Sequence, residues 1–348
     1  MNSLPSHMCG VVLTGYGELD QLHYQNDLPV PQPGPQEVLI RVGAAAVNNT
    51  DINVRIGWYN RNGDGEAAGW SGQALQLPRV QGADVCGEIV AIGKGVVPER
   101  LGQRVLVDPC FWQQHGQALS QPWYMGYDCD GGFAEYVCVP SDNAYAVRSA
   151  LSDSELASFP CSYSTAENLL TKARVSASDT VLVTGASGGV GSAAVQLAKA
   201  RGARVLAVTS ASKAADLLAL GAEQTLDRQQ PLNEQLADNS VDVVIDLVGG
   251  EQWPQLLDVL KPQGRYAVSG AIGGAHVSLD LRTLYLKDLS FFGCTVLEPG
   301  VFAQLVARIE HGQIKPLVAA RYPLQDIAQA QQAFLAKQHT GKIVLTVR

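Results

Sequence analysis

The stretch Thr180-Val-Leu-Val-Thr-Gly-Ala-Ser-Gly-Gly-Val-Gly191 constrains this chain more than any other feature. Its apolar start reads as a buried strand, its glycines as a tight turn and 192–200 as a helix, with a second strand at 204–209. That order commits the chain to a βαβ unit, and so to a parallel sheet covered on both faces. Read as a dinucleotide-binding fingerprint, its three defining positions are Ala186, Gly188 and Gly191, with Gly189 and Val190 between the last two. Gly188 lets the backbone approach a pyrophosphate, and Gly191 allows tight helix-to-strand packing. The phosphates would sit on the helix N-terminus, where unpaired N–H groups and the dipole favour an anion. A glycine triplet alone is also what a simple turn shows. The strand before it, the helix after it and the second strand favour the nucleotide site.

Cofactor choice turns on the end of that second strand. An NAD site carries an Asp or Glu about 20 residues beyond the glycines, to accept from the ribose 2′-hydroxyl. This chain has Thr209, Ser210, Ala211 and Ser212 there, followed by Lys213. No carboxylate is present to repel a 2′-phosphate, and hydroxyls plus a cation are available to bind one. A charge-assisted bond from Lys213 would contribute about 1.5–3 kcal/mol. The plainer reading makes Ser210 or Ser212 a helix cap and Lys213 a solvated first-turn residue. The two are compatible, and the expected cofactor is NADPH.

Strands and helices go on alternating after this unit. A helix reads at 212–220 and strands at 241–247 and 265–269; the apolar Val241, Val243, Val244 and Ile245 suit a doubly covered sheet. After a strand at 289–294 come helices near 301–311 and 324–337, and a last strand at 342–347. The first 150 residues differ. Short β-type runs at 9–14, 37–42, 85–92, 104–107 and 134–139 lie between Gly and Pro turn signals, and Pro29, Pro31, Pro33 and Pro35 precede the second. Runs this short and frequent suggest a β-barrel-like domain. The chain therefore reads as α/β with two domains, which suits 348 residues.

Composition removes several classes. A net charge of −8 with no run of Lys or Arg argues against a partner that is nucleic acid. No apolar stretch reaches the ~20 residues that cross a bilayer, so no membrane partner is expected. Met1 to Gly10 lacks the features of a secretory signal, and seven scattered cysteines favour a reducing, cytoplasmic setting.

Further stretches stand beside the fingerprint: Glu37-Val-Leu-Ile-Arg-Val42, Val47-Asn-Asn-Thr-Asp51, Gly82-Ala-Asp-Val-Cys-Gly-Glu-Ile-Val-Ala-Ile-Gly93, Gly131-Gly-Phe-Ala-Glu-Tyr136 and Gly341-Lys-Ile-Val-Leu345. With them the chain resembles the medium-chain dehydrogenase/reductase superfamily over essentially its whole length, in particular the zinc-less quinone oxidoreductase-like branch. The resemblance implies a GroES-like catalytic domain built from 1–155 and 297–348 around a Rossmann domain at 156–296. It also implies pairing of the 289–294 strand across a dimer, so that a homodimer or homotetramer is expected. Thr165 matches a residue that touches the nicotinamide, while Val248, Gly270 and Ala271 follow strand ends where ligands bind in open α/β sheets.

Zinc alcohol dehydrogenases of this superfamily place a Cys, a His with a following Glu, and a second Cys around a catalytic metal. The matching positions here are Asn48, Ala83 followed by Asp84, and Cys161. Catalytic zinc needs three good ligands and an open position, which these do not supply. The region of the second, structural zinc carries only Cys110, His115 and Cys129. No metal is expected.

Without a Lewis acid, an acceptor that spreads the incoming charge is favoured, such as a quinone or an enone. Asn48 is a candidate donor to the acceptor oxygen through its side-chain N–H, or it orders its loop. Thr50 matches the first member of the alcohol dehydrogenase proton relay, and Tyr59 is an alternative proton donor. Where some quinone reductases have a Tyr two residues after the matching Asp, this chain has Asn53. Trp58, Tyr59, Trp70, Phe111, Trp112, Trp123, Tyr124 and Tyr127 suit a small hydrophobic or aromatic carbonyl substrate, or else the domain core. The expected activity is NADPH-dependent, zinc-independent hydride transfer to a quinone or α,β-unsaturated carbonyl compound. Alternatives are a metal-assisted alcohol dehydrogenase, and an NADPH-binding sensor or structural protein with little turnover.

Overall fold

The computed structural model describes residues 4–59 and 71–347. It divides into two units, Met1–Cys161 with Pro316–Gln338 and Lys342–Arg348, and Ser162–Lys315 with His339–Gly341.

In the first unit, the long strand Glu37–Val47 organises a seven-stranded sheet. One edge pairs antiparallel with Asp84–Ile92, which continues to Arg104–Val107 and Ala144–Ala146. The other edge is shared: Tyr136–Pro140 takes residues 37–41 and Lys342–Thr346 takes 44–47. Irregularities at Leu39/Ile40 and Val42/Ala44 let one strand serve both partners, since a bulge bends and twists its strand. Gly87 is required there: a Cβ would lie 2.3 Å from the Arg41 carbonyl oxygen. Both faces are covered. Val38, Ile40 and Val42 pack with Val85, Ile89, Val105 and Phe111, while Leu39, Ala45 and Val47 pack with Val11, Ile52, Phe133 and Phe334. Pro29 ends an edge strand, Leu22–Pro29, as a residue without N–H should. This is the GroES-like domain, with its final strands supplied by the chain's C-terminal end.

The second unit is a six-stranded parallel sheet of Rossmann type. Numbered in chain order, its strands run 3-2-1-4-5-6 across the sheet: Gln224–Asp227, Arg204–Thr209, Thr180–Val183, Val241–Asp246, Leu260–Val268 and Ser290–Gly293. The order reverses between Thr180–Val183 and Val241–Asp246, and ligands of such sheets bind at the carboxyl ends beside that switch.

The expected domain boundaries differ from this division. Segment 297–315, expected in the substrate domain, belongs to the Rossmann unit, and 156–161 belongs to the GroES-like one. Polar contacts explain the first difference. Asn168 donates to the Val296 carbonyl at 3.0 Å and accepts from Glu298 N at 3.0 Å, and buried Glu167 pairs with Arg308 of the Val301–Glu310 helix. Gln196 accepts from Lys315 N at 2.8 Å, which fixes the end of the segment.

Candidate active site

In the Rossmann unit, the strand Thr180–Val183 ends in Gly185, whose φ of +56° suits glycine. Ala186 is buried, and Gly188 is the N-cap of the helix Gly189–Ala200, so Gly189, Val190 and Gly191 form its first turn. A Cβ on Gly191 would stand 2.3 Å from the Gly185 oxygen and 2.7 Å from Ala186 Cα, so close helix-to-strand packing fixes this glycine. At Gly188 the nearest protein atom would be 3.5 Å away, and the residue is exposed. Nothing among the described residues demands that glycine, as expected where a ligand is the neighbour. The segment His339–Gly341 also reaches this turn, with Gly341 N donating to the Ser187 oxygen at 3.1 Å.

At the end of Arg204–Thr209, the Ser210 and Ser212 hydroxyls lie 3.2 Å apart and Lys213 Nζ donates to the His339 carbonyl at 2.8 Å. Burial, and then the nearby charge of Arg228, push the Lys213 ammonium below the usual lysine range. Arg228 was not singled out from the sequence. It follows the next strand, Gln224–Asp227, and its N donates to the Thr209 oxygen at 2.9 Å, which sets two cations at one strand end. Parallel pairing of Thr209 with Asp227 is the only signal that places it.

The later strand ends are organised by a buried carboxylate. Asp246 accepts from Thr184 Oγ1 at 2.6 Å, Tyr266 Oη at 2.7 Å and Val248 N at 3.0 Å. A Cβ on Gly270 would meet the Leu247 oxygen at 2.8 Å, and one on Gly249 the Gly274 oxygen at 2.7 Å. The loops carrying Val248, Gly270 and Ala271 therefore press on each other, which accounts for small residues there without a ligand. Thr165 is the partly exposed member of an otherwise buried stretch of the helix Pro160–Lys172.

The GroES-like unit holds a polar cluster. Asn48, the N-cap of the helix Asn49–Arg55, donates its backbone N–H to Asp51 Oδ2 at 2.7 Å. Its side-chain Nδ2 donates to Asp84 Oδ2 at 2.7 Å and to the Ala46 oxygen at 3.3 Å, and its Oδ1 accepts from Lys342 Nζ at 2.5 Å. Lys342 Nζ also donates to Asp84 Oδ2 at 2.8 Å, and Cys161 N donates to Asp84 Oδ1 at 2.6 Å. Lys342 and Asp84 are 2% and 0% exposed, so this is a buried ion pair. Cys161 Sγ lies 3.3 Å from Tyr124 Oη, and burial pushes its thiol up to about 12. Burial likewise raises Asp51 to about 7, against the opposing bond from Asn48 and the Lys342 charge.

Both Asn48 amide hydrogens are directed at Asp84 and Ala46, bonds that tie its loop to the start of Asp84–Ile92. Thr50 and Tyr59 do come together: Tyr59 Oη donates to Thr50 Oγ1 at 3.2 Å and accepts from Asn53 Nδ2 at 3.3 Å. Burial raises the Tyr59 phenol. Of the aromatics, Phe111, Tyr124 and Tyr127 are core residues, Trp58 and Trp112 are exposed, and Trp70 lies outside the described residues. Lys342 and Asp84 as a pair were missed, because their identity as neighbours depends on strand register.

Zinc does not fit the positions matched to its ligands. An amide already bonded to Lys342 and an alanine leave only Cys161 and Asp84, short of the three ligands a catalytic zinc needs, and the Asp84 oxygens already accept from an ammonium and two N–H groups. A nicotinamide dinucleotide does fit the Rossmann unit, at the open Gly188 turn and the Gly189–Ala200 helix N-terminus.

Comparison with known proteins agrees with this architecture. Residues 34–149 match the family described as "Alcohol dehydrogenase GroES-like domain", and 189–311 that described as "Zinc-binding dehydrogenase". The chain is 30% identical to the quinone oxidoreductase of Rattus norvegicus over 344 residues, 95% of each chain. It is also 30% identical to an NAD-dependent alcohol dehydrogenase of Sulfolobus acidocaldarius, over 98% of this chain and all of that one. A crystal structure of a putative alcohol dehydrogenase from Sinorhizobium meliloti 1021 is 45% identical and superposes with a TM-score of 0.91, covering 99% and 98% of the two chains. No helix among the described residues is long and apolar enough to cross a membrane. Fold, fingerprint and full-length similarity together establish that the chain belongs to the medium-chain dehydrogenase/reductase superfamily, as an oxidoreductase with a nicotinamide cofactor.

Proposed function

We propose that this oxidoreductase uses NADPH, works without zinc, and delivers hydride to a quinone or an α,β-unsaturated carbonyl compound. The observation that carries this reading is the Lys342–Asp84–Asn48 cluster at the positions matched to a catalytic metal. The likeness to a quinone oxidoreductase supports the acceptor class. A bound nicotinamide cofactor would supply one hydride, carrying two electrons, and be oxidised in exchange. The acceptor carbon gains the hydride, and its conjugated oxygen becomes an anion that takes one proton. A conjugated acceptor disperses that charge, so it asks less of the protein than a simple ketone. Thr50 and Tyr59 form a hydroxyl pair suited to passing the proton from water. Ser210, Ser212 and Lys213, joined by Arg228, would hold a 2′-phosphate.

The second reading, a metal-assisted alcohol dehydrogenase, is favoured by the likeness to the 45% identical Sinorhizobium meliloti structure described above. One experiment separates them: NADPH and NADH oxidation by chelator-treated protein with para-quinones, enones and simple aldehydes. Turnover of quinones or enones with NADPH is expected. Activity restricted to aldehydes and restored only by zinc would overturn the proposal. The expected homodimer also rests here on an observation. Ser290–Gly293 is an open sheet edge, flanked by exposed Leu281, Tyr285, Leu286 and Phe291.

A further inference from the structure

Asp246 stands where the Rossmann sheet changes direction, as the last residue of its fourth strand, Val241–Asp246. It is 0% exposed, while the turn that follows it, 247–250, is only partly covered. A buried carboxylate is costly unless hydrogen-bond donors replace its water. Here Thr184 Oγ1 and Val248 N reach Oδ1, Tyr266 Oη reaches Oδ2, and Gly249 N lies 3.2 and 3.3 Å from the two oxygens. All of these neighbours are donors. An apolar residue in this place would leave two backbone N–H groups and two hydroxyls without their acceptor.

These bonds tie three strand ends together. Thr184, which follows Thr180–Val183, donates to Asp246 and accepts from Leu247 N at 2.9 Å, so one hydroxyl spans the switch between the first and fourth strands. Tyr266 comes from the fifth strand, Leu260–Val268, and Ser269 N just beyond it donates to the Asp246 carbonyl at 3.2 Å. The inward N–H groups of Val248 and Gly249 hold a turn in which Gly249 and Gly250 take φ of +63° and +77°. A trans peptide sets its C=O opposite its N–H, so the Leu247 and Val248 carbonyls turn away from Asp246. Val248 O then accepts from Gly273 N at 2.8 Å, and Gly250 N donates to the Gly274 oxygen at 3.1 Å. One carboxylate thus sets the turn 247–250 and, through it, the loop 270–274.

We infer that Asp246 is a positioning residue for hydride transfer: from beneath the surface it fixes the 247–250 turn and the 270–274 loop as the seat of the cofactor's nicotinamide. A dinucleotide with its phosphates at the Gly188 turn would reach across the switch toward these strand ends. Its charged half is held at the helix N-terminus, so a displaced turn spoils the aim of the nicotinamide more than it weakens binding. Misplacing a reacting group by ~1 Å costs on the order of a hundredfold in rate. The role rests on the proposed hydride transfer from a nicotinamide, whichever acceptor takes the hydride.

The test compares the wild type with Asp246→Asn and Thr184→Val. Asparagine keeps one oxygen for Thr184 and Val248 but turns an amide NH2 toward Tyr266. Valine removes the hydroxyl shared by both strand ends and leaves the carboxylate in place. Circular dichroism should stay native, and NADPH affinity by fluorescence titration should stay within a few fold of wild type. In the cofactor-free protein, hydrogen exchange over 247–274 should quicken in both variants, with exchange in Thr180–Val183 unchanged. Stopped-flow single turnover follows, at saturating cofactor and with the fastest acceptor among para-quinones and enones; its amplitude counts competent sites and its rate constant reports hydride transfer. The rate constant should fall about ten- to a hundredfold at full amplitude. A merely structural role would lower the amplitude and leave the rate constant. That result overturns the inference, as does weakened NADPH binding with an unchanged rate constant, or a slower rate with unchanged exchange. Should Asp246→Asn fail to fold, Thr184→Val decides by the same measures. A wild type that oxidises neither NADPH nor NADH with any acceptor overturns the proposed function and this role together; an active wild type matched by folded variants overturns the role alone.

Discussion

Replacing Lys213 and Arg228 with alanine, singly and together, tests how this chain distinguishes NADPH from NADH. A fully formed charge-assisted bond to a phosphate is worth about 1.5–3 kcal/mol. Lys213 already spends one N–H on the His339 carbonyl at 2.8 Å, and Arg228 is exposed to screening solvent. Discounting for both leaves about 1–2 kcal/mol each, or roughly five- to thirtyfold in kcat/KM, and on the order of a hundredfold for the pair. The assay is cofactor oxidation under one acceptor, with NADPH and NADH compared at low and high salt. NADPH should suffer the whole loss, with NADH unchanged, and the preference should shrink at high salt. It should also depend on pH. Only the protonated amine binds the phosphate, so the preference is full below the Lys213 pKa and fades as pH rises through it, sooner than for an ordinary lysine. Equal losses with both cofactors would refute the assignment, as would a wild-type preference for NADH.

Three other expectations can be checked directly. Gly191→Ala places a methyl 2.3 Å from a backbone oxygen in a turn that cannot yield, and should cost about 1–3 kcal/mol in chemical denaturation and weaken NADPH binding. Burial raises Asp51 from an ordinary 3.8 to about 7, so the native state holds its proton where the unfolded state has released it. Stability should therefore fall between about pH 4 and pH 7 by at most about 1.4 kcal/mol per unit, a slope absent from Asp51→Asn in urea titrations at each pH. Finally, the wild type should sediment as the proposed dimer, and Phe291→Lys at the open sheet edge should shift it toward monomer while a circular dichroism spectrum stays native.

How much of this was legible before the structure follows from the range of the forces involved. The fingerprint turn was readable because each of its demands is local: an apolar strand, a positive φ at Gly185, and a Gly191 pressed against Ala186 a few residues away. The strand at 204–209 and the helix at 301–310 were readable from periodicity for the same reason. Harder were segments whose structure is owed to distant partners. The strand Leu22–Pro29 is a polar edge strand with little apolar signal of its own, Val318–Pro323 is a half-exposed edge strand cut short by a proline, and the helix Pro160–Lys172 begins at a proline amid small residues. The grouping of 297–315 with the Rossmann unit was not readable, because charge pairs and side-chain amide bonds, not composition, attach it there.

The polar cluster shows the same limit in its sharpest form. Position by position, Asn48 and Ala83 show only what is missing, since an amide and a methyl cannot replace two metal ligands. The buried ammonium beside them is carried by Lys342, which is 258 residues from Asp84 along the chain. Only antiparallel pairing of Lys342–Thr346 with the end of Glu37–Val47, at Ile343 opposite Val47, brings the lysine beside Asn48. That register is set by apolar contacts, Ile343 and Leu345 packing with Ala45 and Val47, and a one-residue slip would turn the ammonium to the other face of the sheet. The charge at the heart of the candidate site is therefore placed by the hydrophobic core. A core substitution such as Ile343→Ala, which touches no polar group of the cluster, should loosen the Lys342–Asp84 pair and lower turnover more than its loss of stability alone accounts for.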